Sequence, residues 1–372
     1  MTSRKTKTKP VGDCVLEVST WNPQRDGGVD EIRYIDLSAV SQATKTIESH
    51  TRILPKDAPS RARQLVREGD ILVSTVRPNL NGVARVPESL NGATASTGFC
   101  VLRPDPSKII SEYLLHWVKT PAFVLDMTRK ATGASYPAVS DRIILESHIP
   151  LPPLPEQQRI AAILDQADAL RAKRRYALAK LDTLAQSLFL DLFGDPRTNP
   201  KGFGKRPLGE LIKVKSGDSL AVSQLASDGK YPVYGGNGIN GYHDQFMFEF
   251  PTIVIGRVGV YCGSVHLAEQ PSWVTDNALF VEKHSPELEL TYLAAALRFA
   301  NFNQYAGRAA QPLISGSRIY PVSILVPPTD LQDAFAKRLQ ATERLKVTQN
   351  ASQTKLDTLS ASLQHGAFRG AL

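Results

Sequence analysis

Cysteine, tryptophan and methionine each occur only three times in 372 residues. Cys14, Cys100 and Cys262 are far apart and odd in number. That excludes a disulfide framework and a paired-thiolate zinc pattern, and it suits a reducing cytoplasm. No apolar run approaches the roughly 20 residues that a bilayer-spanning helix needs. The opening MTSRKTKTKP is basic with no apolar stretch behind it, so it does not read as a secretory signal. Such a segment suits either contact with nucleic acid or an unstructured terminus.

Catalytic signatures are missing too. No G-x-x-x-x-G-K-[ST] occurs, and VYGGNGINGY from Val233 lacks the lysine and the strand-turn-helix setting, so it reads as a turn presenting polar groups. The seven histidines are scattered, without the paired spacing of a metal site. No G-x-S-x-G elbow is present. RPDPSK from Arg103 lacks the second acidic residue of a nuclease cluster and reads as a turn after a strand. No Asn-Pro-Pro-aromatic stretch of an amino-methyltransferase is found. The expectation is a non-catalytic module with no metal and no cofactor of its own.

What is present is a soluble composition, 42% hydrophobic and 22% charged, with a net charge of +8. That surplus is compatible with a polyanionic partner without demanding one. The chain is too long for one ordinary core and suits two domains with connecting elements.

An internal repeat orders those elements. KLDTL occurs at Lys180 and again at Lys355, and Pro152-Pro153 is matched by Pro327-Pro328, both at a shift of 175 residues. Each half runs through the same series. VGDCVLEVS from Val11 answers PLGELIKVKSG from Pro207, and EGDILVSTVRP from Glu68 answers FPTIVIGRVG from Phe250. GFCVLRP answers NALFVEK, the helical SEYLLHWV answers LTYLAAALRF, and YPAVS answers QPLIS. The Pro-Pro pair and a long helix close each half. One fold is used twice with its surface rewritten.

The long helices carry heptad seams. In the first, Ile160, Ile163, Ala167, Leu170, Arg174, Ala177, Leu181, Leu184 and Leu188 step by 3 and 4. Pro155 suits the first turn, Glu156 the positive dipole end, and Gly194 with Pro196 the stop. In the second, Phe335, Thr342, Leu345, Ser352, Leu356, Leu359 and Leu363 hold the equivalent places, with Arg338 and Gln349 also on the seam. Thr329 and Gln332 have capping-box spacing. Helices of about 37 residues would each be on the order of 55 Å long. Their matched length and register favour pairing with each other over packing on separate domains.

With the repeat in place, the sequence resembles the specificity (S) subunit of type I DNA restriction-modification systems. EGDILVSTVRP, TGASYPAVS, IPLPPLPEQQRIAAILDQADAL and LAQSLFLDLFGDP carry the resemblance in the first half. YPVYGGNGINGY, GRAAQPLIS and ILVPPTDLQDAF carry it in the second. The resemblance implies an α+β fold: two similar mixed α/β target-recognition domains, each reading half of a bipartite DNA sequence, separated by a long antiparallel two-helix coiled coil that sets their separation. Residues 1–150 and 197–326 would be the recognition domains, and 151–196 and 327–372 the helical segments. It further implies docking of two modification (methyltransferase) subunits on the helices. Those subunits would carry S-adenosylmethionine and methylate adenine N6, while separate motor-nuclease restriction subunits cut DNA.

Readout of double-stranded DNA needs Arg, Lys, Asn, Gln and Ser on loops that reach base edges and phosphates. In the first domain TRILPKDAPSRARQ offers Arg52, Lys56, Arg61 and Arg63, VRPNLNG offers Arg77, Asn79 and Asn81, and RKATGASYP offers Arg129, Lys130, Ser135 and Tyr136. The second offers Lys213, Lys215 and Ser216, then Tyr234, Asn237 and Asn240, then Arg257 and Arg308. Two other classes stand beside this reading: a coiled-coil adaptor that never touches DNA, and a stand-alone DNA-modifying enzyme. Salt-dependent DNA binding separates the first; methyl transfer or cleavage by the isolated chain separates the second.

Overall fold

The computed structural model of the chain describes residues 7–26, 28–307 and 312–371. Packing divides the chain into two units, Met1–Arg175 with Ser352–Leu372, and Tyr176–Ala351. Both boundaries fall inside the long helices rather than at their ends, so each unit owns a stretch of both.

In the first unit the strands are β1 (Thr8–Pro10), β2 (Val15–Leu16), β3 (Ile32–Ile35), β4 (Thr51–Ile53), β5 (Ala62–Leu65), β6 (Ile71–Ser74), β7 (Val83–Arg85), β8 (Thr94–Ser96), β9 (Phe99–Pro104) and β10 (His148–Pro150). They form one sheet in the order β2-β9-β6-β7, a second in the order β4-β3-β8-β5, and the pair β1-β10. GDILVSTV reads as an unbroken apolar run because both faces of its sheet are covered. Ile71, Val73, Cys100 and Leu102 point to a core shared with Tyr113, Leu114 and Val118 of the helix Ser111–Val118. Leu72, Phe99 and Val101 point the other way, onto Ile35 and Ala95 of the second sheet. The period of two along a strand thus splits one apolar run between two cores. Thr120 caps the following helix, Pro121–Lys130, accepting the Phe123 N–H at 3.2 Å, a bond worth about 1 kcal/mol.

The second unit has β11 (Gly204–Pro207), β12 (Ile212–Ser216), β13 (Tyr231–Gly235), β14 (Gly238–His243), β15 (Thr252–Gly256), β16 (Val265–Ala268), β17 (Trp273–Val274), β18 (Ala278–His284) and β19 (Ser323–Val326). Its main sheet, β12-β18-β15-β16, has the order of β2-β9-β6-β7, and β11-β19 repeats β1-β10. Ile253, Ile255, Leu279 and Val281 face the helix Leu290–Phe299, whereas Val254 and Phe280 face Tyr234 and Val274. The end of the first long helix joins this core. Phe193 packs 4.8 Å from the Tyr292 ring and 5.6 Å from that of Phe335.

Two buried polar side chains repeat with the fold. Gln157 donates from Nε2 to Lys108 O and Pro152 O, both at 2.9 Å, and accepts the Ile110 N–H at 3.1 Å. Gln332 does the same in the second unit, donating to Glu287 O at 3.0 Å and Pro327 O at 2.8 Å and accepting from Glu289 N at 2.8 Å. Gln332 therefore does not close a capping box with Thr329: three buried backbone groups need it more than an exposed helix end does. Tyr113 donates to Pro150 O at 2.8 Å, and Tyr292 donates to Leu325 O at 2.8 Å. Burial raises both phenols above their ordinary pKa, so both stay protonated donors.

The long helices run Leu154–Phe193 and Thr329–Ala367, 40 and 39 residues. The first stops where expected, with Gly194 at φ +76°. The seam differs from the expected one by a residue at every second position. Leu164, Arg171 and Leu178 turn inward while Leu170 stays 54% exposed; Leu339 and Lys346 replace Arg338 and Leu345. The reason is chemical. Apolar residues adjoin at Ile163-Leu164 and Ala177-Leu178, so two phases cover similar apolar area, and ion pairs select between them. Arg171 Nε meets Asp357 at 2.6 Å in the first unit, and Lys346 meets Asp182 at 2.8 Å in the second. In each unit the two helical stretches are antiparallel. Leu164 and Gln364 line one cleft of the first with Asp168 and Ser360, and Phe189 lies against Phe335 in the second.

Candidate nucleic-acid interface

In the first unit the hairpin β6-β7 carries a loop that the sequence marked by VRPNLNG. Pro78 starts a single 3₁₀ turn, Pro78–Leu80, between Arg77 at φ +50° and Asn81 at φ +49°. Side-chain-bearing residues enter this left-handed region at a cost of roughly 1–2 kcal/mol each, and such strain persists only where the surroundings impose it. Here the Arg77 N–H donates to Pro137 O at 2.7 Å and the Lys45 ammonium to Asn81 O at 2.6 Å. The segment 132–138 folds over this loop. Gly133, at φ +105°, allows the turn, since a Cβ there would come within 3.0 Å of Tyr136 O.

The result is a polar and aromatic cluster. The Arg77 guanidinium lies 4.7 Å from the centre of the Tyr136 ring, which is 69% exposed. Asn79 and Ser135 are exposed on the two facing segments, and Asn81 is half-buried with Nδ2 3.5 Å from Lys119 O. A cation over a ring beside exposed amide and hydroxyl groups can stack on a base, donate to its edge or hold a phosphate.

The remaining residues of this unit do not join that cluster through any bond among the described residues. Arg52 and Lys56 lie on and just after β4, and Arg61 just before β5, all exposed at the second sheet; Arg52 pairs with Glu31 at 3.3 Å. Arg63 is half-buried and donates to Asn22 Oδ1 at 2.9 Å, so part of its donor capacity is spent inside the unit. Lys130 pairs with Asp126 at 2.7 Å on its own helix, next to exposed Arg129.

In the second unit Arg257 directly follows β15, where its N–H donates to Asn277 O as the Thr75 N–H donates to Gly98 O, so it is the counterpart of Thr75 and Gly259 that of Arg77. Arg257 Nη1 donates to Ser216 Oγ at 2.9 Å, and its buried Nε meets no acceptor among the described residues. The turn holding Asn237 lies against this loop: a Cβ on Gly236 would stand 3.5 Å from Gly256 Cα and 3.6 Å from Tyr261 Cβ. Ser216 and Arg257 are bonded to each other, and exposed Asn237 stands on the adjoining turn. Lys213 and Lys215 both pair with Glu282, Lys213 at 3.3 Å. The hydrogen bond from Lys215 holds that carboxyl below its usual range. Asn240 is exposed on β14. Tyr234 departs from the expected exposed loop: it is 4% exposed, and its hydroxyl accepts the Glu269 N–H at 3.0 Å. The glycines around it suggested a surface turn, but β13 is flanked by β14 and β17 and its side chain faces inward. Arg308 lies outside the described residues.

Lys45 is not legible in the sequence as part of this site, because its role depends on a contact 36 residues away. Its ammonium pKa is lowered, by burial first and by the nearby Lys119 second. The two hairpin tips also expose apolar residues, Leu80 and Val260, at positions that do not correspond.

Comparison with known proteins bears on the whole chain. The family model described as "Type I restriction modification DNA specificity domain" matches residues 60–179 and 200–356. The Escherichia coli type I restriction enzyme EcoprrI specificity subunit is 26% identical over 211 residues, covering 53% of this chain and 52% of that protein. The Methanocaldococcus jannaschii MjaIX specificity subunit is 27% identical over 221 residues, covering 55% and 47%. The chain spans about half the length of these curated relatives. A solved chain described under complex assembly and conformational transition of the type I restriction-modification system covers 99% of both chains, at TM-score 0.67 and 25% identity. The S subunit from M. genitalium has the same fold at TM-score 0.65 and 15% identity, covering 99% of this chain and 97% of its own. Among the described residues no helix is long and apolar enough to cross a membrane.

Proposed function

The chain belongs to the type I restriction-modification DNA specificity family, and from that premise we propose that its two units each read one half of a two-part, asymmetric DNA target. One observation carries the reading. The framework repeats, with the same main sheet order and the same glutamine and tyrosine bonds, while the loops on it differ. A shared framework presents both loop sets to a groove in the same manner, and divergent loops read different bases. Arg77, Asn79, Asn81, Ser135 and Tyr136 form the reading cluster of the first unit, and Ser216, Asn237 and Arg257 that of the second. Exposed Arg52, Lys56, Arg61 and Lys130, with Lys213, Lys215 and Asn240, supply phosphate contacts and steering charge.

In this reading the chain transfers no group itself and works in the cytoplasm. The long helices dock two methyltransferase subunits, which hold S-adenosylmethionine, and restriction subunits join through them. The test is methyl transfer on a DNA library by the chain alone, by the methyltransferase partner alone and by the two together. Sequence-directed adenine methylation is expected only from the pair. Replacing residues 11–150 with another family member's domain should alter one half-site and leave the other. Methylation by the purified single chain, or a change in both half-sites at once, overturns the reading.

A further inference from the structure

In each unit one short helix stands between the reading hairpin and the long helical stretches. Tyr113 and Tyr292 align these helices, Ser111–Val118 and Leu290–Phe299, since their hydroxyls donate to Pro150 O and Leu325 O, 175 residues apart. Lys119 and Arg298 each stand six residues after that tyrosine. Toward the hairpin β6-β7, Asn81 Nδ2 lies 3.5 Å from Lys119 O. Toward the hairpin β15-β16, Arg298 Nε donates to Val265 O at 3.1 Å, where β16 begins. Strands β7 and β16 hold the same place in the repeated sheet order. Toward the long helices the charges alternate. The Lys119 ammonium pairs with Asp168, Asp168 with Arg171 at 3.2 Å, and Arg171 with Asp357 at 2.6 Å. Arg298 shares a cleft with Glu343, whose charge acts on it. Glu343 lies 3.7 Å from the Lys346 ammonium, which pairs with Asp182 at 2.8 Å. Glu343, Lys346 and Asp182 are the counterparts of Asp168, Arg171 and Asp357 at the shift of 175.

Partly exposed ion pairs contribute little to stability, so a repeated chain of them points to geometry. The short helix already shares an apolar core with the long helices in each unit. Apolar contact is non-directional, whereas facing charges fix register. We propose that Lys119 and Arg298 are positioning residues, each tying the reading hairpin of its unit to the long helical stretches. The helices then decide where each hairpin meets its half-site. This deepens the reading of the chain as a two-part DNA reader and rests on it.

A hairpin free to tilt on its helices reaches a half-site displaced by one base pair, so spacer discrimination is the readout. The complex with its methyltransferase partner would be titrated on its target duplex and on duplexes with the spacer one base pair longer or shorter. Loss of active protein scales every duplex alike and leaves the ratio of affinities unchanged, so instability alone does not move it. Lys119→Met and Arg298→Met should each lower that ratio roughly fivefold, with base preference inside each half-site kept. Lys119→Arg and Arg298→Lys should retain it. Asp168→Asn and Glu343→Gln, on the long helices, should reproduce the loss. Joining Asp168→Asn to Lys119→Met, or Glu343→Gln to Arg298→Met, should add little more. An unchanged ratio, or a wild type indifferent to spacer length, overturns the proposal and leaves DNA reading standing. So does a fall of about one in the slope of log affinity against log salt with the ratio kept, which marks a phosphate contact instead. Binding by the wild type without any sequence preference overturns the function itself.

Discussion

Arg171 donates its Nε to Asp357 Oδ1 at 2.6 Å, and the residues displaced from them by the repeat of 175, Lys346 and Asp182, form the corresponding pair at 2.8 Å. Each pair lies within its own unit. The repeat therefore extends beyond sheet order to the polar contacts between helical stretches. It also explains the seam: Arg171 and Lys346 occupy the places that an apolar reading assigns to Leu170 and Leu345.

These pairs are partly exposed, so their value is modest. Arg171→Ala and Asp357→Ala should each cost little in urea unfolding, with a coupling energy of roughly 0.5–1 kcal/mol in the double-mutant cycle. Charge reversal by Arg171→Asp should cost more, and Asp357→Arg added to it should recover most of the loss. Additive effects across the cycle would show that the pair does not hold the register.

The two members of the repeat fail at opposite ends of the pH scale. The Arg171 hydrogen bond holds the Asp357 carboxyl below its usual range. Its contribution is present above the unfolded value of about 3.9 and is lost as pH falls through the depressed folded value. The Asp182 hydrogen bond raises Lys346. That contribution is present below the unfolded value of about 10.4 and is lost as pH rises through the raised folded value. The difference in urea midpoint between wild type and Asp357→Asn should thus shrink in acid, and that for Lys346→Met in strong base. A difference unchanged across the range would remove ionisation from the account.

Arg103 and Asp70 form a buried bidentate pair at 3.0 and 2.7 Å in the first unit. Arg103→Ala leaves the buried Asp70 carboxylate without its counter-charge, with the Arg67 N–H at 2.8 Å still donating to it, and should destabilise that unit by about 3–5 kcal/mol. Arg103→Met with Asp70→Leu should recover much of it. Chemical denaturation followed by a probe in the first unit reads both.

Gln157→Leu should strip two acceptors and one donor of their buried partner, at roughly 1–3 kcal/mol for each group left unsatisfied. Gln332→Leu should do the same in the second unit. Amide hydrogen exchange at Ile110 and Glu289 tests this locally, since each N–H is bonded to the glutamine side chain. Protection unchanged in the variants would contradict the assignment.

Arg77→Ala should weaken target binding by about tenfold if the guanidinium donates to a base, with specificity relaxed in one half-site. If it holds a phosphate instead, the slope of log affinity against log salt should fall by about one with specificity kept. Titration at several salt concentrations separates the two, and no change in either quantity would exclude Arg77 from the interface.

Periodicity and the repeat at 175 residues were enough to establish two copies of one fold, the long helices and the glycine stop at Gly194, because backbone geometry imposes those patterns locally. The phase of the seam was not legible. Ile163 and Leu164 are both apolar, so either can turn inward, and the choice fell to Asp357, 186 residues from Arg171. Nor was it legible that Tyr234 would be buried while Tyr136 stands exposed, since a run of small and polar residues adjoins each, before Tyr136 and after Tyr234. Whether a strand on the other side closes over the ring decides that, and strand pairing is a long-range choice. The apolar tips follow the same rule: an aliphatic residue belongs to a core or to a partner according to what the folded chain leaves open above it.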